Sequence, residues 1–95
     1  MYDLPVATPE QRKAYTDFRK ALKSQGFIPM QESVYVLLVH NHASTRNEMA
    51  KVRAVCPLEG DVNLLPLPMS TFELLTNIRG TPFDMSLFAD DIIWR

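Results

Sequence analysis

One segment of this chain has both of its ends written into the sequence. Thr8-Pro9-Glu10-Gln11 supplies a threonine N-cap, a proline in the first helical position and a glutamine placed to close a capping box. Gly26 supplies a left-handed stop. At about 100° per residue, Tyr15, Phe18 and Leu22 fall on one stripe between these ends, with Ala14, Ala21 and Gln25 on its flank. A helix with a single apolar stripe must lay it on something, and the chain that follows reads as extended, so the expected partner is a sheet.

Residues 27–30 and 34–39 read as strands on either side of the polar Gln31-Glu32-Ser33. Pro29 has no amide proton, which makes the first of them an edge, a bulge or a strand start. The continuous apolar run of the second predicts a strand covered on both faces. A second helix is expected over residues 43–55, with Asn41, Ser44 and Thr45 as rival caps and Pro57 as its stop. Residues 61–67 read as a further strand after Gly60, its pairing limited by Pro66 and Pro68. Ser70 and Glu73 predict a capping box for a short helix through Phe72, Leu74 and Leu75 that ends near Gly80. Ile92-Ile93-Trp94 forms a strand-like tail after Asp90-Asp91. This order is that of an α+β, ferredoxin-like βαββαβ domain over residues 1–95 with one additional C-terminal strand.

A 95-residue chain has room for one domain. A domain of that size buries only about 60 to 65 per cent of the surface its unfolded chain exposes, so a partner subunit would help it. The longest apolar run, residues 34–39, is too short to cross a bilayer, and no basic leader with an apolar core and a cleavage site precedes Asp3. A cytoplasmic protein without a membrane segment is the expectation. Cys56 is the only cysteine, which excludes an intramolecular disulfide and a cysteine-rich zinc site. His40 and His42 would share a face on a strand, but no third ligand accompanies them, and they are expected to flank the second helix.

The net charge of -1 argues against nucleic acid only if the charges are evenly spread. They are not. Arg12, Lys13, Arg19, Lys20 and Lys23, half of the ten lysines and arginines, occupy an arc of about 120° on the first helix, while Glu10 and Asp17 sit together outside it. Such an arc is either a solvated face or a seat for a polyanion. Asp3, before Leu4-Pro5, is either an ordinary loop acid or an acid held at a strand end.

In order and spacing, Asp3-Leu4-Pro5, Arg12-Lys13-Ala14-Tyr15, Phe18-Arg19-Lys20, Gly26-Phe27, Gln31, Ser33-Val34-Tyr35, Glu59-Gly60 and Phe72-Glu73 resemble the CRISPR-associated protein two (Cas-two) family. They are most similar to the branch that accompanies Cas9-type (type II) systems. The resemblance implies a ferredoxin-like homodimer whose terminal strand, here Asp91, Ile92, Ile93, Trp94 and Arg95, adds to the partner's sheet. It implies that Asp3 faces its symmetry mate across the dimer, a pair of carboxylates that would share a proton or a hard cation such as Mg2+. It also implies a supporting hydrogen bond from Ser33. Two functions follow from it. One is a spacer-acquisition adaptor, a dimer that bridges copies of the Cas-one integrase and holds a DNA duplex on its basic arcs. The alternative is a metal-dependent endonuclease cleaving DNA or RNA at the Asp3 pair. Neither takes a small-molecule substrate. A stand-alone, toxin-like RNA cleaver is a distant third. Residues 83–88, an apolar stretch, are a candidate surface for the integrase. The chain departs from the family in three places: Glu32 stands where many relatives carry an aromatic residue, Leu37 where they carry a polar or basic one, and only Met1 and Tyr2 precede the acid.

Overall fold

The capped helix forms as its end signals require. In the computed structural model, which describes residues 1–88, it follows a short strand, β1 (Tyr2–Asp3), and is labelled α1 (Pro9–Gln25). Thr8 is extended, its Oγ1 accepts from the Gln11 amide at 3.1 Å, and Gln11 Oε1 accepts from the Thr8 amide at 3.0 Å. Gly26, at φ 107°, donates its N–H to the carbonyls of Leu22 and Lys23 and ends the helix.

Four further elements complete the unit: β2 (Ile28–Gln31), β3 (Val34–Val36), α2 (His42–Val55) and β4 (Asp61–Val62). β1 pairs antiparallel with β4, Tyr2 opposite Val62 and Asp3 opposite Asp61. β2 and β3 form an antiparallel hairpin with a register irregularity between Pro29 and Gln31, which is how the ladder takes in a residue without a donor. The Tyr2 amide donates to the Ser33 carbonyl at 3.0 Å and ties the hairpin to β1. The βαββαβ order is that of an α+β, ferredoxin-like fold.

This framework lies in one compact unit, Met1–Leu64. Its core is Tyr2, Leu4, Phe18, Leu22 and Val52, with Tyr15, Phe27, Tyr35, Val62 and Leu64 packed against it. The Tyr2 ring meets Phe18 and Tyr15 edge-on at 5.2 and 5.9 Å between centroids and stacks on Tyr35 at 6.0 Å. The seam between the helices is polar. Gln25 Nε2 donates to the Glu48 carbonyl at 2.9 Å and to its Oε2 at 2.7 Å, while Lys51 Nζ reaches Glu48 Oε1 at 3.2 Å. The Gln25 amide first, and Lys51 second, hold the Glu48 carboxyl below the usual carboxylate range.

Tyr2 carries an unsatisfied group into this core. The residue is 7% exposed and its hydroxyl completes no hydrogen bond, although the Tyr35 and Tyr15 hydroxyls are close enough to act on it. Burial, then those two neighbours, raise its pKa above the ordinary phenol range. Two effects of Tyr2→Phe follow. Removing an unpaired buried hydroxyl stabilises the fold by about 1 kcal/mol near neutral pH, measured by urea unfolding. A raised phenol pKa also means that the folded state holds its proton more tightly than the unfolded one, so stability is intact below pH 10 and falls above it. The Phe variant loses that part of the alkaline fall.

A second compact unit begins at Leu65. It contains α3 (Met69–Phe72), a 3₁₀ turn (Met85–Phe88) and a cluster of Phe72, Phe83 and Phe88, whose centroids lie 5.6 to 6.4 Å apart.

Several expectations need correction. The apolar run 34–39 is a strand only over Val34–Val36, and these residues are half-buried rather than covered on both faces. The strand expected over 61–67 is Asp61–Val62, extended by the Asn63 amide donating to the Met1 carbonyl at 2.8 Å. Beyond Asn63 the chain turns to the prolines and gains no further strand partner among the described residues. Ser70 and Glu73 do not form a capping box. Pro68, locked near φ -61°, occupies the N-cap position, so Ser70 is already inside the helix, which ends at Phe72 and not near Gly80. For α2 the rival caps resolve to Asn41, whose side chain accepts from the Ser44 amide at 2.8 Å, and Cys56 is its exposed C-cap. The terminal residues Asp91, Ile92, Ile93 and Trp94 lie outside the described residues.

Candidate functional site

β1 alternates between its two faces: Tyr2 and Leu4 are buried beneath the helices, and Asp3 between them is exposed on the side away from the core. Register puts Asp61 directly opposite Asp3, so their side chains share that face, with β-carbons about 5 Å apart in a ladder of this kind. Two like charges so placed repel, and a cation between them relieves the cost.

The approach of β4 to β1 depends on Gly60. A β-carbon there would stand 2.6 Å from the Asp3 carbonyl oxygen, 2.8 Å from Leu4 Cδ2 and 3.0 Å from Leu4 Cα, and the backbone is at φ +92°. From the other side, β1 is held by Ser33. This residue adopts φ 64° at the hairpin tip, a left-handed conformation uncommon outside glycine and asparagine, which aims its carbonyl at the Tyr2 amide. In this structure Ser33 supplies that carbonyl to the acidic strand end, while its hydroxyl makes no hydrogen bond among the described residues.

The donor set can be tested against a metal. No group of three or more His, Cys, Asp or Glu residues is positioned to hold an ion among the described residues. Mg2+ needs fewer, since it commonly binds through one or two carboxylates and keeps several waters. Asp3 and Asp61, both exposed and on one face, fit that requirement.

The basic arc of α1 is partly committed. Lys13 Nζ lies 2.7 Å from Asp17 Oδ2, one helical turn on. The hydrogen bond from Lys13, with a weaker attraction from Lys20, holds the Asp17 carboxyl below its usual range. Asp17 therefore borders the arc instead of standing apart from it. Arg12 Nη1 donates to the carbonyls of Val6 and Ala7 at 3.3 and 3.2 Å, an arrangement that leaves its charge in place. Arg19, Lys20 and Lys23 are exposed and their side chains make no hydrogen bond or ion pair among the described residues.

The remaining candidates fall elsewhere. Glu32 is exposed at the hairpin tip, and Leu37 is half-buried with its Cδ1 3.4 Å from where a β-carbon on Gly26 would lie. His40 and His42 do not share a strand face. His42 opens α2 and His40 lies in the bend before it. In the stretch 83–88, Phe88 is buried while Leu87 is exposed. Sequence reasoning missed Asp61. The available signal was the position of Glu59-Gly60-Asp61 at the head of the strand that a ferredoxin-like order returns antiparallel to the first.

The fold and this strand end together define a small ferredoxin-like α+β protein with paired acids on the sheet face away from its helices and unpaired cations along its first helix. Residues 1–74 match the family model described as CRISPR associated protein Cas2. A "CRISPR-associated endoribonuclease Cas2" of Streptococcus mutans serotype c (strain NN2025) is 38% identical over 80 residues, which is 84% of this chain and 75% of that protein. Proteins of the same name from Parvibaculum lavamentivorans (39% over 72 residues; 76% of this chain, 71% of that protein) and Treponema denticola (38% over 79 residues; 83% and 78%) are also similar. The chain belongs to the Cas2 family of CRISPR-associated proteins. Among the described residues no helix is long and apolar enough to cross a membrane.

Proposed function

We propose that the chain acts in CRISPR adaptation as a dimeric adaptor, holding duplex DNA on the α1 cations of its two subunits and presenting it to the larger adaptation integrase. The observation that carries this reading is the exposed, unpaired state of Arg19, Lys20 and Lys23 in a chain of net charge -1. Side-chain cations held in no hydrogen bond or ion pair displace condensed counterions from phosphates at no cost of broken ion pairs, and they bind without regard to sequence. A twofold axis doubles the row, and exchange of the terminal strand 91–95 is the proposed means of dimerisation.

A second reading is favoured by Asp61 opposite Asp3 and by the endoribonuclease names of the relatives. On this reading Asp3 and Asp61 would hold Mg2+, which when bound polarises a phosphodiester and lowers the pKa of a bound water. The chain's own contribution is to fix both carboxylates, through the Gly60 contact with β1 and the Ser33 carbonyl. The adaptor stands first because binding uses charges already presented to solvent.

Asp3→Asn separates the two. For an adaptor, duplex binding and capture with the integrase persist at the wild-type level. For a nuclease, Mg2+-dependent cleavage falls by about a hundredfold or more. A folded, dimeric Asp3→Asn protein that no longer captures duplex with the integrase would overturn the ranking.

A further inference from the structure

The unpaired cations of this molecule are not confined to α1. On α2, Arg46 and Arg53 are exposed and their side chains make no hydrogen bond or ion pair among the described residues, and the same holds for His42. Lys51, the remaining cation of that helix, is committed to Glu48. The contact between Gln25 and Glu48 marks the seam of the two helices and fixes where these groups point. Counted at 100° per residue, His42, Arg53 and Arg46 lie about 120°, 140° and 160° round α2 from Glu48. Arg19, Arg12 and Lys23 lie about 120°, 140° and 160° round α1 from Gln25. Both rows therefore face away from the seam, on opposite flanks of the helical layer.

Arg46 and Arg53 are seven residues apart, about 10.5 Å along the axis, close to the rise of three nucleotides on one strand of a duplex. Arg12 and Arg19 repeat that spacing on α1. Helix stability accounts for Arg53, which lies in the last turn, but not for Arg46. α2 has no acid in its first turn, and Arg46 stands one turn in from its N-terminus, where no helix-end interaction favours a cation.

We infer that His42, Arg46 and Arg53 form a second phosphate-binding row on α2, separate from the α1 row, so that each subunit grips two stretches of nucleic-acid backbone. This inference rests on the DNA-binding reading above, and its ligand is the phosphodiester backbone of a duplex.

The test measures binding of the full chain to a short DNA duplex of arbitrary sequence between about 50 and 200 mM salt, with thermal melts to verify folding. Arg46→Ala/Arg53→Ala is expected to reduce the slope of log affinity against log salt by about 2 and to weaken binding several tens-fold near 0.1 M salt. Arg46→Lys/Arg53→Lys, which keeps both charges, retains the wild-type slope. Combination with Arg19→Glu/Lys23→Glu gives additive losses, because the rows act on separate stretches of backbone. If the α1 variant loses affinity and the α2 alanine variant does not, the second row is overturned while the adaptor reading stands. If neither loses affinity, the DNA-binding reading itself is overturned. A folded lysine variant as weak as the alanine one also overturns the row, since charge is then not what it supplies.

Discussion

Gly60→Ala lowers the stability of the Met1–Leu64 unit by about 3 kcal/mol, a shift in melting temperature of roughly 12 to 24 °C for a domain of this size. Two costs combine. An L-residue rarely adopts φ +92°, and the new methyl would stand 2.6 Å from the Asp3 carbonyl oxygen and 3.0 Å from Leu4 Cα. Both of those atoms are backbone, so no side-chain rotation relieves the clash and β4 must move away from β1. The β1–β4 ladder is only two residues long, Tyr2–Asp3 against Asp61–Val62, extended by one pair of hydrogen bonds between Met1 and Asn63. Gly80→Ala provides the control, because Gly80 has nearly the same φ, +91°, with nothing within 4 Å of the new methyl among the described residues. Its cost is the conformational part alone, about 1 kcal/mol. Chemical denaturation of the two variants side by side checks this, and equal losses would show that β4 does not depend on close contact with β1.

Arg19→Glu/Lys23→Glu weakens duplex DNA binding about 100-fold near 0.1 M salt and reduces the salt slope by about 2, with little change in thermal stability. These two residues are preferable to the rest of the arc. Arg12 holds the Val6 and Ala7 carbonyls, so reversing it disturbs the loop into α1, and Lys13 is already neutralised by Asp17. Lys13→Ala should change the slope by less than 1, since an exposed ion pair must be given up before Lys13 can meet a phosphate. Fluorescence anisotropy across a salt series reads both effects. A wild-type slope in the reversal variant would make this face of α1 an ordinary solvated surface.

The parts of the fold that were legible in the sequence are those set by local chemistry. Thr8, Pro9, Gln11 and Gly26 dictate the ends of α1 because each satisfies or forbids a specific backbone hydrogen bond within a few residues. The core stripe Tyr15, Phe18 and Leu22 follows from helical period alone, and Phe18 and Leu22 are indeed buried. Errors arose where a local signal competed with a neighbour. Ser70 and Glu73 had capping-box spacing, but Pro68 lies two residues before Ser70 and takes the cap position itself. The apolar run after Ser33 had strand composition, yet only the residues facing β2 have a ladder to join.

The candidate site divides along the same line. The α1 cations could be named from residue type and position, and Asp3 and Ser33 from the family resemblance, but not their surroundings. Asp61 became the neighbour of Asp3 only through antiparallel pairing across more than half the chain, and Asp17 took Lys13 out of the arc through the rotamers of two long side chains.

Taken by itself, the sequence determined where α1 begins and ends, which side of α1 is apolar and which residues carry charge, since capping and periodicity act over a few bonds. Only the tertiary structure decided which charges stay unpaired, which acid stands opposite Asp3 and why position 60 is a glycine. Those outcomes depend on distances between segments far apart along the chain, and register and close packing set such distances.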